Sequence, residues 1–244
     1  MPKMYKVIDN AQNYYIDKKN LVNLCVRMIV CGASERSGKS NLILNLLLRP
    51  EFYLNDFKGE NIFIISPSLK NDNKLKKLIE VKDIPAENLM DEFDETAVTE
   101  LYKILQEEYE EAIDQGEKPE HKLIIMDDIA YSGDLKAMSF GIISKMACNG
   151  RHSLINFIIT AQKYTQIPTV LRENANCSIF FSCSNKQLAL IEEDHNFLSN
   201  KKQFYDMFRE ATGEKHSFFV VNYTNPKDEM YQNSEFEIIT PKNK

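Results

Sequence analysis

The sequence predicts an α/β fold with a mostly parallel sheet and helices on both faces. Two observations carry this. Short apolar runs alternate with helical patterns along most of the chain, the order that builds a parallel sheet with crossover helices. The runs are also continuously hydrophobic instead of alternating, as strands covered on both faces are.

Five runs read as buried strands: 24–31 (LCVRMIVC), 61–66 (NIFIIS), 122–127 (KLIIMD), 154–160 (LINFIIT) and 178–183 (SIFFSC). After the first, residues 39–48 (KSNLILNLLL) are apolar nearly all round, which predicts a deeply packed helix. Residues 96–114 carry Leu101, Ile104, Leu105, Ala112 and Ile113 at helical spacing, and Gly116 and Pro119 stop the run. Glu107, Glu108, Glu110 and Glu111 fall mainly on the other face, a solvated surface in one reading and an acidic docking patch in the other. Further helices are expected at 134–148, ending at Asn149-Gly150, then near 185–193 and 200–210. Two antiparallel strands are expected at 216–223 and 235–240. The whole, 1–244, reads as one domain: a core at about 22–184 and a short C-terminal helix and β extension at about 185–240.

Composition bounds the function. The chain has 244 residues, 43% hydrophobic and 27% charged, enough for a sizeable core. A net charge of −6 argues against a basic protein that simply coats nucleic acid. Cys25, Cys31, Cys148, Cys177 and Cys183 include no C-x-x-C pair, and His121, His152, His195 and His216 are scattered. Reduced thiols and no metal cluster are therefore expected. The N-terminal segment is polar, with no apolar core of signal-peptide length, and no stretch approaches the ~20 apolar residues that span a bilayer. The expectation is a soluble intracellular protein without membrane contact.

The strongest motif follows the first strand: Ala33-Ser34-Glu35-Arg36-Ser37-Gly38-Lys39-Ser40. It fits the phosphate-binding loop with Ala in place of the first Gly. Such a loop turns a strand into a helix while its backbone N–H groups surround phosphate oxygens. Gly38 lets the backbone approach, Lys39 reaches the β/γ-phosphates and the Ser40 hydroxyl can ligate Mg²⁺. The third strand ends in Asp127-Asp128. The first acid can support the Mg²⁺; the second can orient and deprotonate a water, which a hydrolase needs and a kinase does not. The fourth strand ends Thr160-Ala161-Gln162, and an amide there can sense the γ-phosphate or the attacking water. The order of these features inserts a strand between the two nucleotide-binding strands. In the numbering of the five runs it predicts the sheet order 5-1-4-3-2 of the additional-strand P-loop NTPases. Arg151 precedes the fourth strand and Arg172 the fifth. Either could complete a neighbouring subunit's site as an arginine finger, or be a solvated or salt-bridged surface arginine.

Together, GASERSGKS, IISPS, LIIMDDIA, NGRHSLINFIITAQ and IPTVLRENANCSIFF resemble the genome-packaging ATPases of poxviruses, other large DNA viruses and virophages, within the FtsK–HerA superfamily. The resemblance covers roughly residues 24–183. It implies ATP and Mg²⁺ as cofactors, with Lys39 and Ser40 on phosphate and metal, Asp127 on metal, Asp128 as general base and Gln162 as polar sensor. It implies Arg151 as the leading trans finger and Arg172 as the second. It also implies a ring of five or six subunits that threads double-stranded DNA into a capsid, a capsid or portal partner, and residence in the host cytoplasm, viral factory or virion. Ala33 and Asp128, where Glu is common, depart from the family pattern.

The rivals are another additional-strand ATPase, helicase-like or plasmid-type, and a non-catalytic nucleotide-dependent assembly factor. The densest basic segment, Lys70, Lys74, Lys76 and Lys77, reads as a solvated helix face or as a DNA-channel lining.

Overall fold

A computed structural model describes residues 21–32, 37–129, 141–198 and 200–241. Five parallel strands form its centre: β1 (Arg27–Cys31), β2 (Ile62–Ile65), β4 (Lys122–Met126), β5 (Ile155–Ala161) and β6 (Cys177–Phe181). With β3 (Leu89–Met90), β7 (Phe218–Asn222) and β8 (Tyr231–Gln232), the sheet runs β3-β2-β4-β5-β1-β6-β7-β8. Its five central members therefore follow the predicted 5-1-4-3-2 order, read from the opposite edge.

Three strands extend that core. The two-residue strand β3 (Leu89–Met90) pairs in parallel with β2 at one edge. At the other edge β7 (Phe218–Asn222) and β8 (Tyr231–Gln232) add antiparallel pairs, so the C-terminal extension continues the central sheet. The strand expected at 235–240 is replaced by β8, which lies earlier in the chain; only an isolated bridge, Gln232 to Ile238, remains of the expected pairing. The reason is local: Tyr231 is buried against the core, whereas Glu235 and Glu237 are exposed.

Strand residues divide by parity between two apolar layers, as a period of two requires. From β1, Ile29 and Cys31 enter one layer with Phe157 and Ile159 of β5. Met28 and Val30 enter the other with Leu42, Ile43, Leu46 and Leu47 of α1 (Lys39–Leu48). The second layer also holds Leu75 and Leu78 of α2 (Asn73–Lys82). The first is covered by α3 (Glu95–Asp114), α4 (Ile142–Asn149), α5 (Thr169–Asn174), α6 (Asn185–His195) and α7 (Lys201–Ala211). Helix α4 covers the end of the helix expected at 134–148; residues 134–140 lie outside the described ones.

Helix α3 corrects one expectation. Its buried stripe is Val98, Tyr102 and Leu105, while Ile104 and Ile113 face solvent. On the acidic side, Glu107 pairs with Lys103 at 3.4 Å and Glu108 with Lys122 at 2.7 Å. No described helix is long and apolar enough to cross a membrane.

Candidate nucleotide site at the strand tips

Strand register builds the site. Ile65 of β2 lies opposite Met126 of β4, and Met126 lies opposite Ile159 of β5. One residue further, Ser66, Asp127 and Thr160 therefore stand in a row at the C-terminal tips. The row is hydrogen-bonded: Thr160 Oγ1 donates to Asp127 Oδ1 at 2.7 Å, and Ser66 Oγ donates to Asp127 Oδ2 at 3.2 Å. The Asp127 backbone N–H extends the ladder to the Ile65 carbonyl at 2.9 Å. Burial pushes the Asp127 carboxyl above the usual carboxylate range; the Thr160 and Ser66 hydroxyls and Lys39 pull the other way, and Asp128 adds to the rise.

Asp128 follows in the left-handed region, φ 49°, uncommon for a residue with a Cβ. Its N–H donates to Thr160 Oγ1 at 3.0 Å. The turn takes Asp128 out of the strand line and toward Lys39, whose Nζ lies 4.0 Å from Asp128 Oδ1.

Lys39 is the first residue of α1 and is almost wholly buried. Its ammonium donates to the Gly32 carbonyl at 3.0 Å, so the chain folds back across the mouth of the loop. Gly38 caps the helix at φ 115°. A Cβ there would lie 3.2 Å from Phe181 and would suffer the backbone strain as well. Ser37 and Ser40 belong to the described part of the loop; Ala33, Ser34, Glu35 and Arg36 lie outside it.

Gln162 is exposed just beyond β5. It lines a cavity of about 410 Å³ with Gly32, Tyr164, Phe181 and Gln187. Its loop is anchored on α6: the Tyr164 backbone N–H donates to Gln187 Oε1 at 2.8 Å, and the Tyr164 hydroxyl donates to Asp194 Oδ2 at 2.6 Å.

The two arginines are placed differently. Arg172 is engaged within its own chain: Nη1 meets Asp194 Oδ2 at 2.5 Å, Nη2 meets Thr169 Oγ1 at 3.0 Å, and the guanidinium lies 4.9 Å from the Tyr164 ring centre. Arg151 is exposed in the turn before β5, where its carbonyl accepts from Cys25 Sγ at 3.8 Å. That turn is at the N-terminal end of the sheet. A strand of seven residues, at roughly 3.3 Å per residue, separates it from the tips where Lys39 and Asp127 meet.

Thus Lys39, Asp127 and Asp128 converge, Gln162 flanks them, Arg172 is held on α6 and Arg151 faces away. Ser66 and Thr160 escaped the reading of the sequence. Their signal was available only through strand register: a hydroxyl residue ending each neighbour of an acid-tipped strand. Among the described residues no cluster of three or more His, Cys, Asp and Glu could hold a metal. The donor set still suits Mg²⁺, which takes hard oxygen ligands and is commonly held by one or two carboxylates plus substrate phosphates. Asp127 supplies two carboxylate oxygens, each receiving one hydroxyl, and Ser40 supplies a hydroxyl.

Comparison with known proteins agrees with this fold. The genome packaging NTPase B204 from Sulfolobus turreted icosahedral virus 2, in complex with AMP, superposes with a TM-score of 0.53 at 15% identity, covering 81% of this chain and 92% of that one. In complex with AMPPCP the same protein gives 0.53 at 15% identity, covering 81% and 91%. B204, the DNA-packaging ATPase from Sulfolobus turreted icosahedral virus, gives 0.51 at 15% identity, covering 81% and 92%. At such identities the likeness is one of fold. No curated protein matches the chain. A family model described as Poxvirus A32 protein matches residues 13–235, a span that contains every motif above. The chain belongs to the poxvirus A32 protein family, the poxvirus-type genome-packaging ATPases that its motifs resemble.

Proposed function

We propose that this ATPase couples hydrolysis to translocation of double-stranded DNA into a preformed capsid. It would work as a homo-oligomeric ring of five or six subunits, docked at a capsid or portal vertex in the host cytoplasm or viral factory. The observation that carries the reading is the meeting of Lys39, Asp127 and Asp128 at the tips of β1 and β4, two strands with β5 between them. Support for packaging comes from the family and from the relatives' description as genome- and DNA-packaging enzymes.

Each residue then has a task. Backbone N–H groups of Ala33, Ser34, Glu35, Arg36, Ser37 and Gly38 would surround the phosphates, and the Lys39 ammonium would neutralise the β/γ oxygens. Ser40 and Asp127 would hold Mg²⁺, which when bound would offset the charge that develops on the phosphates. Asp128 accepts the proton of the attacking water, and Gln162 orients that water. Arg151, remote from its own site, reaches the site of the next subunit.

The test is ATP hydrolysis with and without duplex DNA, alongside the mass of the assembly. Stimulation by DNA in a ring-sized species is expected. Replacing Lys39 with Ala should abolish turnover with the fold intact, and Asp128→Asn should bind ATP yet turn over about 10²–10⁴-fold more slowly. Turnover indifferent to DNA in every oligomeric state would instead assign the chain to another additional-strand activity.

A further inference from the structure

A second cavity, about 300 Å³, opens on the α1 side of the phosphate loop, with Gly38, Asn41, Asn45, Phe181, His216 and Phe236 among its walls. Its size falls at the lower end of pockets that enclose small organic ligands. His216, Phe218, Ser234 and Phe236 come from the C-terminal extension, a part of the chain to which the packaging motifs give no task.

The walls are aromatic and joined ring to ring. Phe181 and Phe218 lie 5.4 Å apart between centroids, Phe218 and Phe236 5.8 Å, and Phe236 and Phe52 5.5 Å. His216 is tied to the phosphate loop, its Nδ1 lying 3.2 Å from the Ser37 carbonyl. Both His216 and Phe236 hold left-handed backbones, φ 70° and 60°. Such conformations cost free energy in residues with a Cβ and persist where the surroundings enforce them.

Direction along the loop identifies the occupant. Lys39 and Asp128 mark the γ end of a bound triphosphate, and the N-terminus of α1 marks its α end. The nucleoside must continue past Asn41, where this cavity lies. The cavity beside Gln162 lies at the other end, with Gly32.

We propose that the C-terminal extension forms the nucleobase cradle: the purine of the nucleotide stacks on His216 above the Phe218–Phe236 cluster. The inference rests on the ATP-binding reading of the Lys39 loop. Stacking accepts any base, in proportion to its π face. Polar groups at the rim serve both purines. Asn45 Nδ2 is used on the Asn41 carbonyl at 2.7 Å, which leaves its amide oxygen to accept from the amino group of adenine. The Arg49 guanidinium, from the same cavity wall, can donate to the O6 of guanine. ATP and GTP should therefore bind alike, and CTP more weakly.

Calorimetric binding of ATP, CTP and ribose 5′-triphosphate, which has the sugar and phosphates without a base, tests this on the full chain. The parent should bind ATP at least about tenfold more tightly than ribose 5′-triphosphate. His216→Ala should weaken ATP about tenfold more than it weakens ribose 5′-triphosphate, while His216→Phe should retain ATP affinity. Phe236→Ala, outside the loop contact, should repeat the pattern of His216→Ala. Equal affinity of the parent for ATP and ribose 5′-triphosphate, or equal loss of both in the variants, overturns the cradle and leaves the phosphate site standing. A parent that binds neither overturns the ATP reading itself, and the cradle with it.

Discussion

Thr160 donates its hydroxyl to Asp127 at 2.7 Å and receives the backbone N–H of Asp128 on the same oxygen at 3.0 Å. One β5 side chain thus fixes both acids that follow β4. Thr160→Val keeps the shape and leaves a buried carboxylate oxygen and an N–H without that partner. It should cost about 1–3 kcal/mol of stability by chemical denaturation, and turnover should fall along with it. Thr160→Ser should recover most of both. An unchanged denaturation midpoint in Thr160→Val would remove the coupling.

Asp127 should also give stability an unusual pH dependence. Its carboxyl is raised chiefly by burial, so the native state takes up this proton at higher pH than the unfolded chain does. The sign follows from linkage: stability falls as pH rises from the ordinary carboxylate value through the raised native one, and the penalty persists above it. Asp127→Asn removes the charge. The variant, catalytically dead, should lack this titration, so the parent should gain stability relative to it as pH falls through that window, whatever the variant's absolute stability. Denaturation midpoints at pH 7 and below measure it.

Helix α1 was legible to the residue because the phosphate loop fixes its start and Arg49-Pro50 its end. The order of the five central strands was legible because the motifs come in the chain order of the additional-strand P-loop NTPases. Strand β3 was not, since two residues carry no period. Helix α3 misled because Ile104 and Ile113 match the helical spacing as well as Val98 and Tyr102 do, and only packing into the apolar layer beside α4 decides which stripe is buried. His216 lies 179 residues from the Ser37 carbonyl it meets, a contact without any local signature.

His195 predicts a limb of the opposite sign. Its ring is buried among Tyr164, Phe180 and Tyr223. The Tyr164 hydroxyl gives its proton to Asp194 and lies 2.9 Å from His195 Nε2, while Nδ1 meets the Tyr223 hydroxyl. The network assigns a neutral imidazole with Nε2–H donating to Tyr164 and Nδ1 accepting from Tyr223. Burial lowers its pKa to about 4; Asp194 opposes the shift and Arg172 adds to it. The unfolded chain protonates near the ordinary value of about 6.5, so stability should be lost as pH falls from there to about 4, by roughly 3 kcal/mol in all. His195→Gln lacks the titration, and its stability curve should be flatter across that interval than the parent's, whatever its absolute stability. Parallel curves would mean that His195 does not carry the limb.

The two arginines separate by what their loss should touch. Arg172 holds Asp194 and covers Tyr164, so Arg172→Ala should lower the stability of a single subunit by about 1–3 kcal/mol, and its effect on turnover should follow the displaced Tyr164 loop. Arg151 is exposed at the far end of the sheet, so Arg151→Ala should leave the melting temperature unchanged. If its guanidinium serves the neighbouring site, turnover of the assembled ring should drop by about 10³-fold or more. Complementation decides the matter. Arg151→Ala subunits retain Lys39, and Lys39→Ala subunits retain Arg151, so each is inactive alone and a mixed ring contains interfaces with both groups. Turnover regained on mixing places Arg151 in the neighbour's site; a mixture as silent as its parts returns Arg151 to the surface.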